Sequence, residues 1–150
     1  MKTFSGFITE LEPNQVFVFG SNPEGRHGKG AAATARQFFG AKRGEGYGHH
    51  GRSYAIATKD LRVKRNGGMR SVPLRKIKKQ VVEFIRYATD HPELTFFVTA
   101  FGSKLAGYTE AEMASLFVDL SIPENVIMNI EYAKHINKYL EMIDSINNIK

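Results

Sequence analysis

Gly25, Gly28 and Gly30 stand close together, shortly after Ser21 and Asn22 and just before the run Ala31-Ala32-Ala33. A strand that ends in small polar residues and passes through glycines into a helix brings backbone N–H groups to a point where the helix dipole attracts anions. Glycine there removes the side chain that would keep a phosphate at a distance. Ser21, Asn22, Gly25, His27, Gly28, Lys29, Gly30 and Ala31 are therefore candidate phosphate-binding residues. The segment is not a P-loop, because GxxxxGK[ST] is absent, and not a dinucleotide fingerprint, which needs glycine where Ala33 stands. Taken alone, it also reads as a tight turn.

Two other strand ends carry the same kind of residue. The apolar stretch 94–101 runs into Gly102, Ser103, Lys104, Leu105, Ala106, Gly107 and Tyr108, and Thr109 with Glu112 then forms a capping box. The stretch 53–57 ends in Thr58, Lys59 and Asp60. Glycine segments at neighbouring strand ends are suited to gripping the two sides of a diphosphate.

For catalysis the candidates are Asn22 and Asp60. As a general base Asp60 must reach a water beside the reacting carbon; as a structural or substrate-positioning group, the favoured role, it pairs with Lys59 or a nearby arginine. Asn22 either fixes a ribose hydroxyl or water, or forms the turn before Pro23. His27 reads as an exposed loop histidine or as a phosphate or base contact. His49 and His50 lack metal-ligand spacing and a carboxylate partner, so no metal or cofactor is expected. No nucleophile–base arrangement is legible.

These segments need a scaffold that gathers strand ends. Residues 16–19 read as a strand buried on both faces, and 28–41 as a helix with Ala31, Ala32, Ala35, Phe38 and Phe39 at helical spacing. Strands are expected at 6–10, 53–57, 94–101 and 125–128. Leu74, Ile77, Val81, Phe84, Ile85 and Ala88 mark a second helix. A third buries Met113, Leu116 and Phe117. A fourth, 131–146, carries Ile136, Tyr139, Leu140 and Ile143 on one face. Residues 44–51 read as loop, and 61–72 as a basic hairpin around Asn66-Gly67-Gly68. Alternating strands and helices predict an α/β fold with a mixed, mostly parallel sheet. Such folds bind ligands outside the carboxyl ends of their strands.

Composition narrows the partners. The chain has 150 residues, 42% hydrophobic and 24% charged, as expected of one globular domain spanning 1–150. It has no cysteine, no apolar run of membrane-spanning length and no apolar leader, so a cytoplasmic address without a membrane partner is expected. The net charge is +6, and between positions 59 and 79 there are nine Lys or Arg against the single acid Asp60. That basic segment is either a solvated face or a surface for an anionic partner, nucleic acid included.

The first glycine segment resembles the first ligand loop of macro domains, in which an apolar strand, an Asn and a spacer precede GGGV-x-x-A-I and a closing glycine. Here Asn22 is followed by Gly28, Lys29, Gly30 and Ala31, with Gly40 at the close. The second is similar to the macro-domain pattern S-T-G-[IV]-[YF]-G-Y-P, with Gly107 and Tyr108 matching and Ser103 and Leu105 close substitutes. More closely, the chain resembles an uncharacterised bacterial and phage family sharing G-S-N-x-x-G-R-H-G-x-G-A-A, S-Y-A-I-x-T-K-D and G-x-x-L-A-G-Y. The resemblance implies a three-layer α/β/α macro-domain-like fold and a small ligand of the ADP-ribose kind, or another phosphorylated nucleotide, that is bound, with hydrolysis of it left open. Lys29 and Lys104 replace macro-domain glycines, and Ala106 replaces the aromatic over the distal ribose. The two ammonium groups either reinforce phosphate binding or fill the pocket. The alternatives are a nucleic-acid-binding module using residues 59–79 and an interaction protein with a vestigial cleft.

Overall fold

The apolar run at 16–19 is the middle of β2 (Gln15–Ser21), which is hydrogen-bonded along both edges. Its side chains alternate between two cores, as the strand period requires. Phe17 and Phe19 join Ala32, Ala35 and Phe39 of one cluster, while Val16 and Val18 join the larger cluster on the opposite face. The computed structural model of the chain describes residues 1–149, and of Lys104 the backbone alone.

Six strands make one sheet: β1 (Lys2–Phe4), β2, β3 (Gly48–His50), β4 (Ser53–Ala57), β5 (Thr95–Val98) and β6 (Val126–Asn129), in the order β1-β6-β5-β2-β4-β3. Every pairing is parallel except that of β3 with β4. Helix α1 (Gly30–Phe38) covers one face. Helices α2 (Leu74–Asp90), α3 (Glu110–Ala114) and α4 (Ile130–Asn148) cover the other, so the layers are α/β/α as expected.

Local chemistry accounts for the helices. In α2, Ile77, Val81, Phe84, Ile85 and Ala88 are buried at intervals that put them on one stripe. The capping box before α3 is complete: the Glu112 N–H donates to Thr109 Oγ1, and the Thr109 N–H donates to Glu112 Oε1, both at 3.0 Å. Met113, Leu116 and Phe117 are buried as expected. The side-chain oxygen of Asn129 accepts the N–H of Tyr132 and starts α4.

Three expectations are corrected, and a fourth, the α4 helix, holds with its apolar face partly exposed. Residues 6–10 are not a strand: β1 lies earlier, pairs with β6, and leaves Phe7 96% exposed, while Ile8 and Leu11 pack under α1. Residues 61–72 form no hairpin. Asn66 and Gly67 adopt left-handed φ of 53° and 65° inside a 3₁₀ turn (Arg65–Gly68), and residues 62–67 are exposed, so a ladder there would have no apolar face to bury. The segment 44–51 is not all loop, since β3 and β4 make a hairpin across Gly51-Arg52, with Gly51 at φ 60°. The apolar face of α4 is only half used: Ile136 is buried, whereas Tyr139, Leu140 and Ile143 are 41%, 43% and 37% exposed.

This assignment of core and surface predicts that Phe84→Ala lowers unfolding stability by about 3–5 kcal/mol through the cavity it leaves, while Phe7→Ala changes it by less than about 0.5 kcal/mol. Urea unfolding of the two variants is the check; a large loss with Phe7→Ala would restore a strand at 6–10.

Candidate functional site

Parallel order places the carboxyl ends of β2, β4 and β5 on one edge, and Gly20 marks how closely they meet. A Cβ on Gly20 would lie 3.3 Å from both Thr58 Oγ1 and Phe101 Cβ and 3.4 Å from the Gly102 nitrogen. The Thr58 N–H also donates to the Ser21 carbonyl. The three strand ends singled out from the sequence therefore converge.

The loop after β2 is closed by its own side chains. Asn22 donates from Nδ2 to the Arg26 carbonyl at 2.7 Å and accepts the Arg26 N–H on Oδ1 at 2.8 Å. Its amide is thus committed to the loop. Ser21 Oγ lies 3.0 Å from His27 Nε2, and the His27 ring packs edge-on against Phe19 at 5.3 Å. His27 is only 3% exposed, which corrects its reading as an exposed loop residue. Burial, then the charges of Arg36 and His50, push its pKa below the usual value, and Nδ1 has no hydrogen-bond partner among the described residues. The loop rests on residues 44–46: a Cβ on Gly25 would fall 2.3 Å from the Glu45 nitrogen, and one on Gly46 would fall 1.9 Å from the Asn22 carbonyl oxygen. Gly28, Lys29, Gly30 and Ala31 are exposed at the start of α1, with open space around both glycines.

The loop after β5 is anchored differently. Ser103 Oγ is 2.8 Å from the Tyr132 hydroxyl, which also donates to the Phe101 carbonyl. Ala106 and Tyr108 are buried, and Leu105 is exposed. The backbone of Lys104 belongs to a 3₁₀ turn (Lys104–Ala106), and its side chain lies outside the described residues. Gly107 is covered by Met69, whose Cβ would be 2.9 Å from a Cβ there.

Residues 59–72 connect the two loops. At one end, Arg62 donates to both oxygens of Asp60, at 3.0 and 2.9 Å, and lies 3.3 Å from Glu24 Oε1 of the first loop. The Asp60 N–H donates to Ser71 Oγ at 2.6 Å. At the other end, the Arg70 N–H donates to the Ala106 carbonyl at 2.6 Å, and its guanidinium sits 4.5 Å over the Tyr108 ring while forking Glu112. Hydrogen bonds from Arg62 hold the Asp60 carboxyl well below the usual carboxylate range, so Asp60 is ionised and weakly basic.

A cavity of about 360 Å³ opens beside this segment. Pro23 of the first loop, Tyr47, Asp60 and Arg62 line one side, and Lys76, Lys79 and Glu83 of α2 line another. Of the candidate residues whose side chains are described only Asp60 lines it; the exposed glycines of the α1 N-terminus do not. Gln80 also borders it, pairing with both the N–H and the carbonyl of Ala57 where β4 outruns β3. Arg62, Lys76 and Lys79 were legible only as members of a basic segment, and Tyr47 carried no signal. His49 is spent on Tyr87 and the Gly51 carbonyl. No group of three His, Cys, Asp or Glu suited to a metal ion occurs among the described residues.

The buried His27 gives a pH test. Its folded pKa lies below its unfolded value, so on acidification the unfolded chain takes up a proton that the fold resists. Stability therefore rises with pH up to the unfolded histidine value of about 6.5 and then levels. His27→Gln should flatten that slope in urea midpoints measured from mildly acid to neutral pH; an unchanged slope would move its source elsewhere, with His49, also lowered by burial, the next histidine. Comparison of the chain with protein-family models, curated proteins and solved structures finds no match, which leaves the macro-domain likeness resting on the motifs themselves.

Proposed function

We propose that the protein binds a phosphorylated nucleotide of the ADP-ribose kind at the carboxyl edge of its sheet, in the cavity between the first loop, residues 59–72 and α2. The observation that carries this reading is the lining. Three cations, Arg62, Lys76 and Lys79, share about 360 Å³ with the half-exposed ring of Tyr47. That volume lies within the range of small-molecule sites, and cations sharing a cavity with an aromatic suit a phosphate joined to a base. No ion pair among the described residues holds Lys76 or Lys79. Pro73, at the N-cap of α2, provides no side-chain cap, so the N–H groups of the helix's first turn add positive potential nearby.

The reading stops at binding. Asp60 is held by Arg62 and is a weak base, and Asn22 is committed to its loop. The nucleic-acid alternative draws on the same cations, but Arg62, Arg70 and Lys78 of the basic segment are already paired with Asp60, Glu112 and Asp119.

A thermal-shift series with ADP-ribose, ADP, inorganic phosphate and single-stranded DNA tests both readings. A nucleotide should raise the melting temperature, because a ligand at a hundred times its Kd stabilises by about 2.7 kcal/mol. Lys76→Ala or Lys79→Ala alone should weaken binding by roughly ten- to a hundredfold, since each charge-assisted hydrogen bond is worth about 1.5–3 kcal/mol. Lys29→Gly should leave affinity unchanged; a loss there instead would put the diphosphate at the α1 N-terminus. Binding of DNA alone, falling steeply with salt, would replace this proposal with the nucleic-acid reading.

A further inference from the structure

The chain has eight asparagines, and their surroundings separate one from the rest. Asn22 precedes Pro23, which has no N–H, and its amide brackets Arg26. Asn125 donates to the carbonyls of Ala88, His91 and Leu94, and Asn129 to that of Val98. The residues that follow them, Val126 and Ile130, are β-branched. Asn137, Asn147 and Asn148 lie in α4, where the helix fixes the backbone. Asn14 is followed by Gln15, the first residue of β2. Only Asn66 is followed by glycine.

The fold leaves that pair open. Asn66 and Gly67 are both exposed, at left-handed φ of 53° and 65°. Asparagine tolerates that conformation better than other side chains do. A Cβ placed on Gly67 would meet nothing within 4 Å. Two turn hydrogen bonds hold the place: the Gly67 N–H donates to the Lys64 carbonyl at 3.1 Å, and the Met69 N–H to the Asn66 carbonyl at 3.2 Å. Short turns of exposed residues with little apolar burial open at low cost. Opening frees the Gly67 nitrogen.

We propose that Asn66 is a site of spontaneous deamidation through a succinimide closed by the Gly67 nitrogen. In the opened turn that nitrogen attacks Cγ of Asn66. The new N–Cγ bond forms as the Gly67 nitrogen gives up its proton and the Cγ–Nδ2 bond breaks, and Nδ2 leaves as ammonia. Glycine presents no Cβ to hinder the attack. Water then opens the ring at one carbonyl to give aspartate, or at the other to give isoaspartate, whose main chain runs through the former side chain. Either product replaces a neutral amide by a carboxylate within the run Arg62, Lys64, Arg65 and lowers the net charge of +6 by one. Isoaspartate also lengthens the backbone of the segment that links the loops after β2 and β5. The inference is independent of the nucleotide reading.

Incubation of the full chain in mildly alkaline buffer at body temperature, followed by tryptic mapping with chromatographic separation of isomers, tests it. The peptide 66–70 should pass into two isomeric acids while ammonia is released in equal amount. The other seven asparagines should stay intact, and circular dichroism should show the fold retained throughout. Asn66→Gln should abolish both products. An unchanged 66–70 peptide overturns the proposal, as does conversion of another asparagine as early as Asn66. Aspartate formed without isoaspartate also overturns it, because the amide would then be hydrolysed directly and not through the ring.

Discussion

β2 is paired with β5 along one edge and β4 along the other, and its side chains fill cores on both faces, so it has no free side on which to adjust. Its exit is equally confined. At Gly20 the chain passes between Thr58 and the Phe101–Gly102 backbone, with room for little beyond a hydrogen. Everything on the carboxyl edge inherits that constraint. The loops after β2, β4 and β5 must diverge from a point where a larger side chain would push them apart. α1 therefore goes to one face, while the segment after β4 folds over the other.

Each loop leaving that point is held by a different device. The first uses short side chains: the Asn22 amide brackets Arg26, and Ser21 meets the buried His27. The second uses the Tyr132 hydroxyl from α4 and the cap of α3. The segment between them uses arginines at its ends, Arg62 towards Glu24 and Asp60, Arg70 towards Glu112 and Tyr108. Exposed ion pairs contribute little by themselves. Arg70 is better placed, because its backbone also bonds to Ala106 and Met69 covers Gly107. The segment is thus most firmly fixed where it meets the second loop, and the Arg62 end rests on exposed ion pairs.

That asymmetry bears on the chemistry of the edge. On the proposed reading, an anion entering the cavity would meet Lys76 and Lys79, which stand on one helix and have no ion pair among the described residues. It would also meet Arg62, already neutralised by Asp60 and Glu24. Binding through the lysines needs no rearrangement, whereas recruiting Arg62 means breaking its fork to Asp60. The same fork keeps Asp60 ionised and occupied, which separates holding a ligand here from acting on it.

Periodicity and punctuation determined the scaffold: the buried run at 16–19, the stripe of α2, the Thr109–Glu112 cap and the alternation of strands with helices were all legible, because each is a local signal of three to five residues' reach. From them followed the α/β class, its mostly parallel sheet and the meeting of three strand ends on one edge, while the three layers were implied by the macro-domain resemblance. What the tertiary structure decided was where the open space lies. Whether Asn22, His27 and Asp60 face a ligand or brace a loop depends on Arg26, Phe19 and Arg62, and no spacing rule ties those pairs to one role. The path of residues 59–72 was likewise hidden, because its contacts with Glu24, Ala106 and Glu112 are distant in sequence and its turn at Asn66-Gly67 suits a hairpin equally well. The helical spacing along α4 was visible from the start; that its burial stops at Ile136 while the helix continues to Asn148 is a property of where the body ends, which only the packed chain defines.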